Sequence, residues 1–377
     1  MTDTAPSPTI DTDMPQAVQA FLPGATEVVP IPGHPELARV VTPEGIWRVR
    51  RWPAGAPASD VTFSHEVLEI ARRVEPAITP ALLLTSHETP ADAVRIGGRY
   101  YDAQQWLPGA PLPGAEIAWP GPDVRIDVPV AAPNEVFIQV ITALAKLHAA
   151  SEGLATTKGA PSAALGLLPG AVSQAQQRQV NALRGRARYE PAIQRWIATG
   201  ERLISTAAPV VEAAAAQGTL STSVLHLGMW PAHVLTEGER VTGLLGWERA
   251  AVGSPLLDLA QATLRLRGWT DDAVETTVGY YSDVRDLTPE ERRLFPAVAA
   301  LDVVATTGRL LEQTFLTGSD ERPPLPLRKS VEMMVRSMNA VERSLLGPIE
   351  RKKRVWDHNR PGPNQRPRGG GPRDRRR

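Results

Sequence analysis

Residues 224–260 read VLHLGMWPAHVLTEGERVTGLLGWERAAVGSPLLDLA, and the architecture follows from this stretch. From Val224 to Glu248 the chain alternates short apolar runs with Gly- and Pro-containing breaks, the pattern of strand, loop and strand. From Pro255 to about Leu346 it is mainly helical, and Asp258 falls at the start of the first helix, PLLDLAQATL. An acid there is expected to cap the helix or to accept buried hydrogen bonds rather than to bind a metal.

Upstream, NEVFIQVITALAKLHAAS (134–151) predicts a strong amphipathic helix with Asn134 as its cap, and residues 172–217 predict two helices around Pro191. The first hundred residues differ in character. EVVPI, ELARVVT, IWRVRRW, ALLLTS and RYYDAQQWL read as strands, TPEG (42–45) as a tight turn, and 59–74 as one helix with Phe63, Val67, Ile70 and Ala71 on a face. A short helix is expected near 13–22. The expected organisation is a flexible leader (1–13), a β-rich lobe (14–107), a Pro-rich linker or insert (108–133), a helical lobe (134–348) and a disordered tail (349–377). This is an α+β, bilobal architecture.

The 377 residues are 42% apolar and 22% charged, enough for a large core. With no cysteine, disulfides, thiolate metal sites and cysteine nucleophiles are excluded. The polar start and the lack of ~18 consecutive apolar residues argue against a secretory signal and a membrane span, so a cytoplasmic location without membrane partners is expected. A formal net charge of zero hides a split: residues 351–377 carry +9 and the rest carries −9. The tail is Arg, Pro and Gly with almost no apolar content, so it is expected to stay disordered. It reads as a solubility element or as a polyanion-binding one, through which nucleic acid could associate.

The 224–260 stretch resembles the core of the aminoglycoside phosphotransferase and choline-kinase-like phosphotransferases, which share the protein-kinase fold. Their pattern runs hHGDxxPxNhL, then hIDWE, then GDPxxDLA. Here His226, Pro231, Val234, Leu235, Trp247, Glu248, Gly253, Pro255, Asp258, Leu259 and Ala260 match in order. LAKLHA (144–149) is similar to the helix preceding that family's catalytic loop. The resemblance implies a small β-rich lobe, a larger helical lobe, and ATP and magnesium as cofactors.

It also implies where the chemistry fails. The catalytic Asp, which accepts the acceptor hydroxyl's proton, aligns with Gly228; the metal-binding Asn five residues on aligns with His233; the second metal-binding Asp aligns with Gly246. Glycine offers no side-chain oxygen, and imidazole is a softer ligand than magnesium prefers. No intact catalytic residue and no metal site is expected. Glu248 is the one acid left nearby, a candidate substitute ligand or base. On this alignment, returning Asp, Asn and Asp to the three positions is expected to raise magnesium-dependent nucleotide affinity.

In the small lobe the resemblance implies a phosphate-pairing basic residue and a Glu partner on the next helix. Arg50 and Glu66 are the nucleotide-binding candidates; the plainer reading makes Arg48, Arg50 and Arg51 a solvated strand face. The phosphate-covering loop falls at IPGHPELARVV, where only Gly33 is present and prolines remove amide donors, so nucleotide binding is doubtful. His226, Trp230 and Trp247 read more simply as packed residues. The expected function is a catalytically inactive, phosphotransferase-like pseudokinase binding an unidentified protein or small molecule. The alternatives are an active ATP-dependent small-molecule phosphotransferase using Glu248, and a nucleic-acid-associated protein working through its tail.

Overall fold

Alternation along two strands separates a greasy face of the small lobe from a charged one. The computed structural model describes residues 13–86, 91–121, 124–152, 169–187, 190–316 and 322–346. β1 (Glu27–Ile31), β2 (His34–Thr42), β3 (Gly45–Arg51), β4 (Leu82–Leu83), β5 (Val94–Ile96) and β6 (Arg99–Gln105) form one antiparallel sheet, in the order β1-β2-β3-β6-β4 with β5 on β6. Val40, Val49, Tyr101 and Ala103 pack under α1 (Met14–Phe21) through Met14, Val18 and Phe21. Because strand side chains alternate, Arg48, Arg50, Asp102 and Gln104 fall on the opposite face. All four are buried there.

α2 (Ala58–Val74) joins this face to the helical lobe, with Phe63, Val67 and Leu68 in that lobe's core. Residues 108–133 are more than a linker. β7 (Ala110–Pro111) pairs with Leu235 and Thr236 far along the chain, and β8 (Glu116–Ala118) and β9 (Arg125–Asp127) form a hairpin of their own. Pro-rich composition hid them because two- and three-residue strands leave no periodicity to read.

The helical lobe contains α3 (Asn134–Ser151), α4 (Pro169–Ala187), α5 (Pro191–Ala216), α6 (Pro255–Leu266), α7 (Asp271–Ser282), α8 (Pro289–Phe315) and α9 (Leu325–Leu346). Two small antiparallel pairs sit at its upper edge, β10 (Ser223–Leu225) with β13 (Ala251–Gly253) and β11 (Val234–Glu237) with β12 (Arg240–Leu244). Asn134 is not the cap of α3: Pro133 holds the cap position, and no side chain caps it. α8 begins with a capping box, in which Thr288 Oγ1 accepts from the Glu291 amide at 3.1 Å and Glu291 Oε2 from the Thr288 amide at 2.9 Å. α8 is long and apolar enough to cross a membrane, but 83% of its most apolar window is buried, as in a core helix. The expected tail and most of the leader lie outside the described residues.

Asp258, in the first turn of α6 and fully buried, ties three elements together. Its oxygens accept from the amides of His226 (2.7 Å) and Leu227 (2.8 Å), and from His148 Nε2 on α3 (3.1 Å). It is a buried acceptor, as the sequence suggests, though not for its own helix end. Replacing Asp258 with Ala strands two buried amides, each costing about 1–3 kcal/mol. Urea denaturation should therefore show a loss of at least about 2 kcal/mol. A loss under about 0.5 kcal/mol, typical of an inert surface change, would contradict this role.

Candidate functional site

The buried polar face of the sheet meets the loops 226–233 and 246–249 across a cleft of about 920 Å³. Arg50 is the junction. Its guanidinium donates from Nη2 to Asp102 Oδ2 and from Nη1 to Glu248 Oε2, both at 2.6 Å, and lies 4.5 Å over the Trp52 ring. Asp102 also accepts from Trp52 Nε1 (2.7 Å) and from His65 Nε2 on α2 (3.1 Å). Burial works against charge on all these groups, yet their mutual attraction prevails. Asp102 is held well below the usual carboxylate range by Arg50 and His65, and His65 is pushed up to about 9 by Asp102 and Asp92. Arg48 beside it donates to Gln104 Oε1; burial, with the charge of Arg50, lowers it to about 10 and leaves it cationic.

Two expectations change here. Arg50 is not partnered by Glu66, which is exposed on α2; it is partnered by Asp102 on the neighbouring strand and by Glu248 across the cleft. Nor do Arg48 and Arg50 form a solvated face, since they are 8% and 5% exposed. The sequence did hold a signal for both missed residues. Asp102 is the one acid in the strand RYYDAQQ, and His65, next to Glu66, falls on the inward face of α2.

Gly228 and Gly246 lie against each other, with His233 beside them. A Cβ on Gly228 would stand 2.6 Å from the carbonyl oxygen of Gly246, and one on Gly246, whose φ is +90°, would strike the His233 ring, 2.9 Å from Cε1. His233 Nδ1 donates to the Gly228 carbonyl at 2.7 Å, and its own carbonyl accepts from the Leu245 amide at 2.9 Å. Backbone and imidazole thus fill the room that two carboxylate side chains would need. The expectation that Asp, Asn and Asp at the three positions would rebuild a metal site meets an obstacle here: at Gly228 the Gly246 backbone must move before a Cβ fits, and at Gly246 a side chain would have to adopt φ +90°, a strain that remains even when His233 is replaced.

Glu248 is committed elsewhere. Burial would raise its pKa, but Arg50, and after it His233, bring the carboxyl down to about 2. A carboxylate so stabilised is a poor general base near neutral pH. Among the described residues no three His, Asp or Glu side chains converge to hold a metal ion. At the aligned ligand positions, Gly228 and Gly246 offer no side-chain oxygen and His233 offers an imidazole, a softer donor than magnesium prefers. His226 is fully buried, accepts the Gly228 amide on Nδ1 at 3.0 Å and packs edge-on to Trp247 at 4.4 Å; burial lowers its pKa to about 4, keeping it neutral.

The mouth of the cleft is clasped. At the β1–β2 turn, where a phosphate-covering loop was expected, Gly33 carries the Arg125 side chain against it. The adjacent His34 binds Glu116 at 3.1 Å and Glu36 at 3.4 Å, and these carboxylates raise its pKa to about 10. Arg48, Arg50, Arg51, Arg99, Arg125 and Arg249 line the cleft against Glu36, Glu116 and Glu248, so its net charge is positive.

The fold has clear relatives. An aminoglycoside phosphotransferase from Alicyclobacillus acidocaldarius superposes with a TM-score of 0.62 at 16% identity, covering 92% of this chain and 97% of that one. A spectinomycin phosphotransferase superposes at 0.57 and 10% identity, covering 89% and 100%. A microcompartment-associated aminopropanol kinase does so at 0.53 and 13%, covering 89% and 98%. Identities this low show the fold alone. Among curated proteins none matches the sequence significantly. Residues 35–295, more than half of the chain, match the phosphotransferase enzyme family (APH), and the chain belongs to that family.

Proposed function

We propose that this family member does not transfer phosphate and works as a binding module through its interlobe cleft. The observation that carries this reading is the packing of Gly228 against the Gly246 carbonyl, with the His233 ring over Gly246. Three groups that would position an acceptor proton and two metal ions are absent, and their space is taken. Glu248 is bound to Arg50 and ionised, which also speaks against its service as a replacement base. A positioned base alone contributes about 10²–10⁴ in rate, and metal-assisted charge neutralisation adds to that. The cleft behind that clasp is cationic, with apolar walls at Leu37, Trp106, Leu107 and Leu245. Those walls suit a ligand with a flat or apolar part and a negative charge.

Incubation of the full chain with labelled ATP, magnesium or manganese, and mixed hydroxylated acceptors should give no phosphorylated product above the protein-free background. Product formation that Glu248→Gln abolishes would overturn the reading and establish Glu248 as a base. Gly228→Asp, His233→Asn and Gly246→Asp together should lower stability by about 1–3 kcal/mol, the usual cost of overpacking, with no gain in magnesium-dependent nucleotide binding. A triple variant as stable as the natural chain would show that the loops have room after all.

A further inference from the structure

A second cavity, of about 510 Å³, opens in the helical lobe between α4, α6 and α8, and four arginines line it against one acid: Arg178, Arg249, Arg265 and Arg309 against Asp302. Arg265 is 1% exposed and stacks 4.3 Å from the Trp230 ring centre. Its Nη atoms reach Gln261 (3.1 Å), Thr306 (3.3 Å) and Asp302 (3.4 Å), and its buried Nε has no partner. Asp302 is itself shared, accepting from Gln261 Nε2 at 3.2 Å and Thr306 Oγ1 at 3.4 Å. Glu312, on the same helix as Arg309, is bound to Gln179 Nε2 at 2.9 Å and is not part of the lining. Among the described residues Arg178, Arg249 and Arg309 form no ion pair, and all three are exposed.

A buried guanidinium with a single carboxylate partner, itself shared with Gln261 and Thr306, is costly, and three further cations around the same cavity add to the cost. The charge of Arg265 is opposed by burial and also by Arg309 and Arg249, although Asp302 favours it. An anion in the cavity would offset all of this at once. The wall nearest the cleft adds a second observation. Leu227, at φ +55°, is the sole described non-glycine residue in the left-handed region, and it lines this cavity. Such a conformation costs an L-residue roughly 1–2 kcal/mol and persists where the surroundings enforce it, here through the hydrogen bond that the Leu227 amide donates to Asp258.

We propose that this cavity is a binding site for a small phosphate ester, its phosphate held by Arg265, Arg309, Arg178 and Arg249 and its organic part against Leu227, Leu257 and Leu301. Guanidinium forks match phosphate oxygens in pairs. The volume lies in the range of small-molecule sites and exceeds what inorganic phosphate alone would fill. The site is separate from the cleft ligand proposed above, sharing only Arg249 with it, and it stands whether or not the cleft is catalytic.

The test is calorimetric titration of the full chain with glycerol 3-phosphate and with inorganic phosphate, against chloride of matched ionic strength. Saturable binding of the ester, tighter than that of inorganic phosphate, is expected. Arg309→Gln, an exposed change whose folding is checked by its melting temperature in chloride, should weaken it by about tenfold or more, as loss of a charge-assisted hydrogen bond does. Arg125→Gln, which alters the cleft alone, should leave it unchanged. Absence of saturable binding, equal affinity for the two probes, or weakening by Arg125→Gln but not by Arg309→Gln would overturn the assignment.

Discussion

Asp258 keeps its negative charge at zero exposure because two amides and an imidazole are aimed at it. Burial would raise its pKa, and His148, His226 and the backbone donors hold it down instead. The loop from His226 to His233 hangs from those bonds. They turn the chain through a left-handed Leu227, set Gly228 against Gly246 and leave Trp230 facing Arg265. Behind the carboxylate, the Tyr281 hydroxyl meets His148 Nδ1 at 3.0 Å and fixes the ring that donates to Asp258. A frame of this kind is built for holding reacting groups in place. Here it holds glycines and a histidine.

The upper wall of the cleft follows the same logic with opposite sign. Arg50 sits between Asp102 and Glu248, so the charge that bridges sheet and helical lobe is a closed ion pair rather than an open phosphate site. Breaking one partner out of such a buried set leaves the others uncompensated and is expensive, which makes the pair a firm link between lobes. Other links lie nearby: the Ser64 hydroxyl donates to the Trp247 carbonyl at 3.0 Å, the Leu244 amide to the Ile78 carbonyl at 2.8 Å, and Lys146 pairs with Glu75. Any anion entering the cleft must compete with Glu248 for Arg50.

Much of this was legible in the residues themselves. The ordered frame from His226 to Ala260 carried the resemblance and with it the fold, and it is the resemblance that assigns Gly228, His233 and Gly246 to one site. Long periodic helices such as Asn134–Ser151 were readable because their apolar faces span several turns. What stayed hidden depends on distance across the fold. The Arg50 partners come from residue 102 and residue 248, and only the pairing of β3 with β6 and the closing of the cleft bring them to Arg50. Arg178, Arg249, Arg265 and Arg309 are far apart in a chain rich in arginine, so only packing of α4, α6 and α8 reveals their shared cavity. Short strands in 108–133 were missed because pairing, of β7 with β11 and of β8 with β9, and not local pattern creates them.

The central claim is that the interlobe cleft has no means of holding magnesium with a nucleotide, because glycine backbone and an imidazole occupy the ligand positions. Calorimetric titration of the full chain with a non-hydrolysable ATP analogue, in excess magnesium and in chelator, tests it most directly, since magnesium needs carboxylate or phosphate oxygens arranged around it. Nucleotide should bind no more tightly in magnesium than in chelator. Nucleotide binding that tightens when magnesium is added would contradict it.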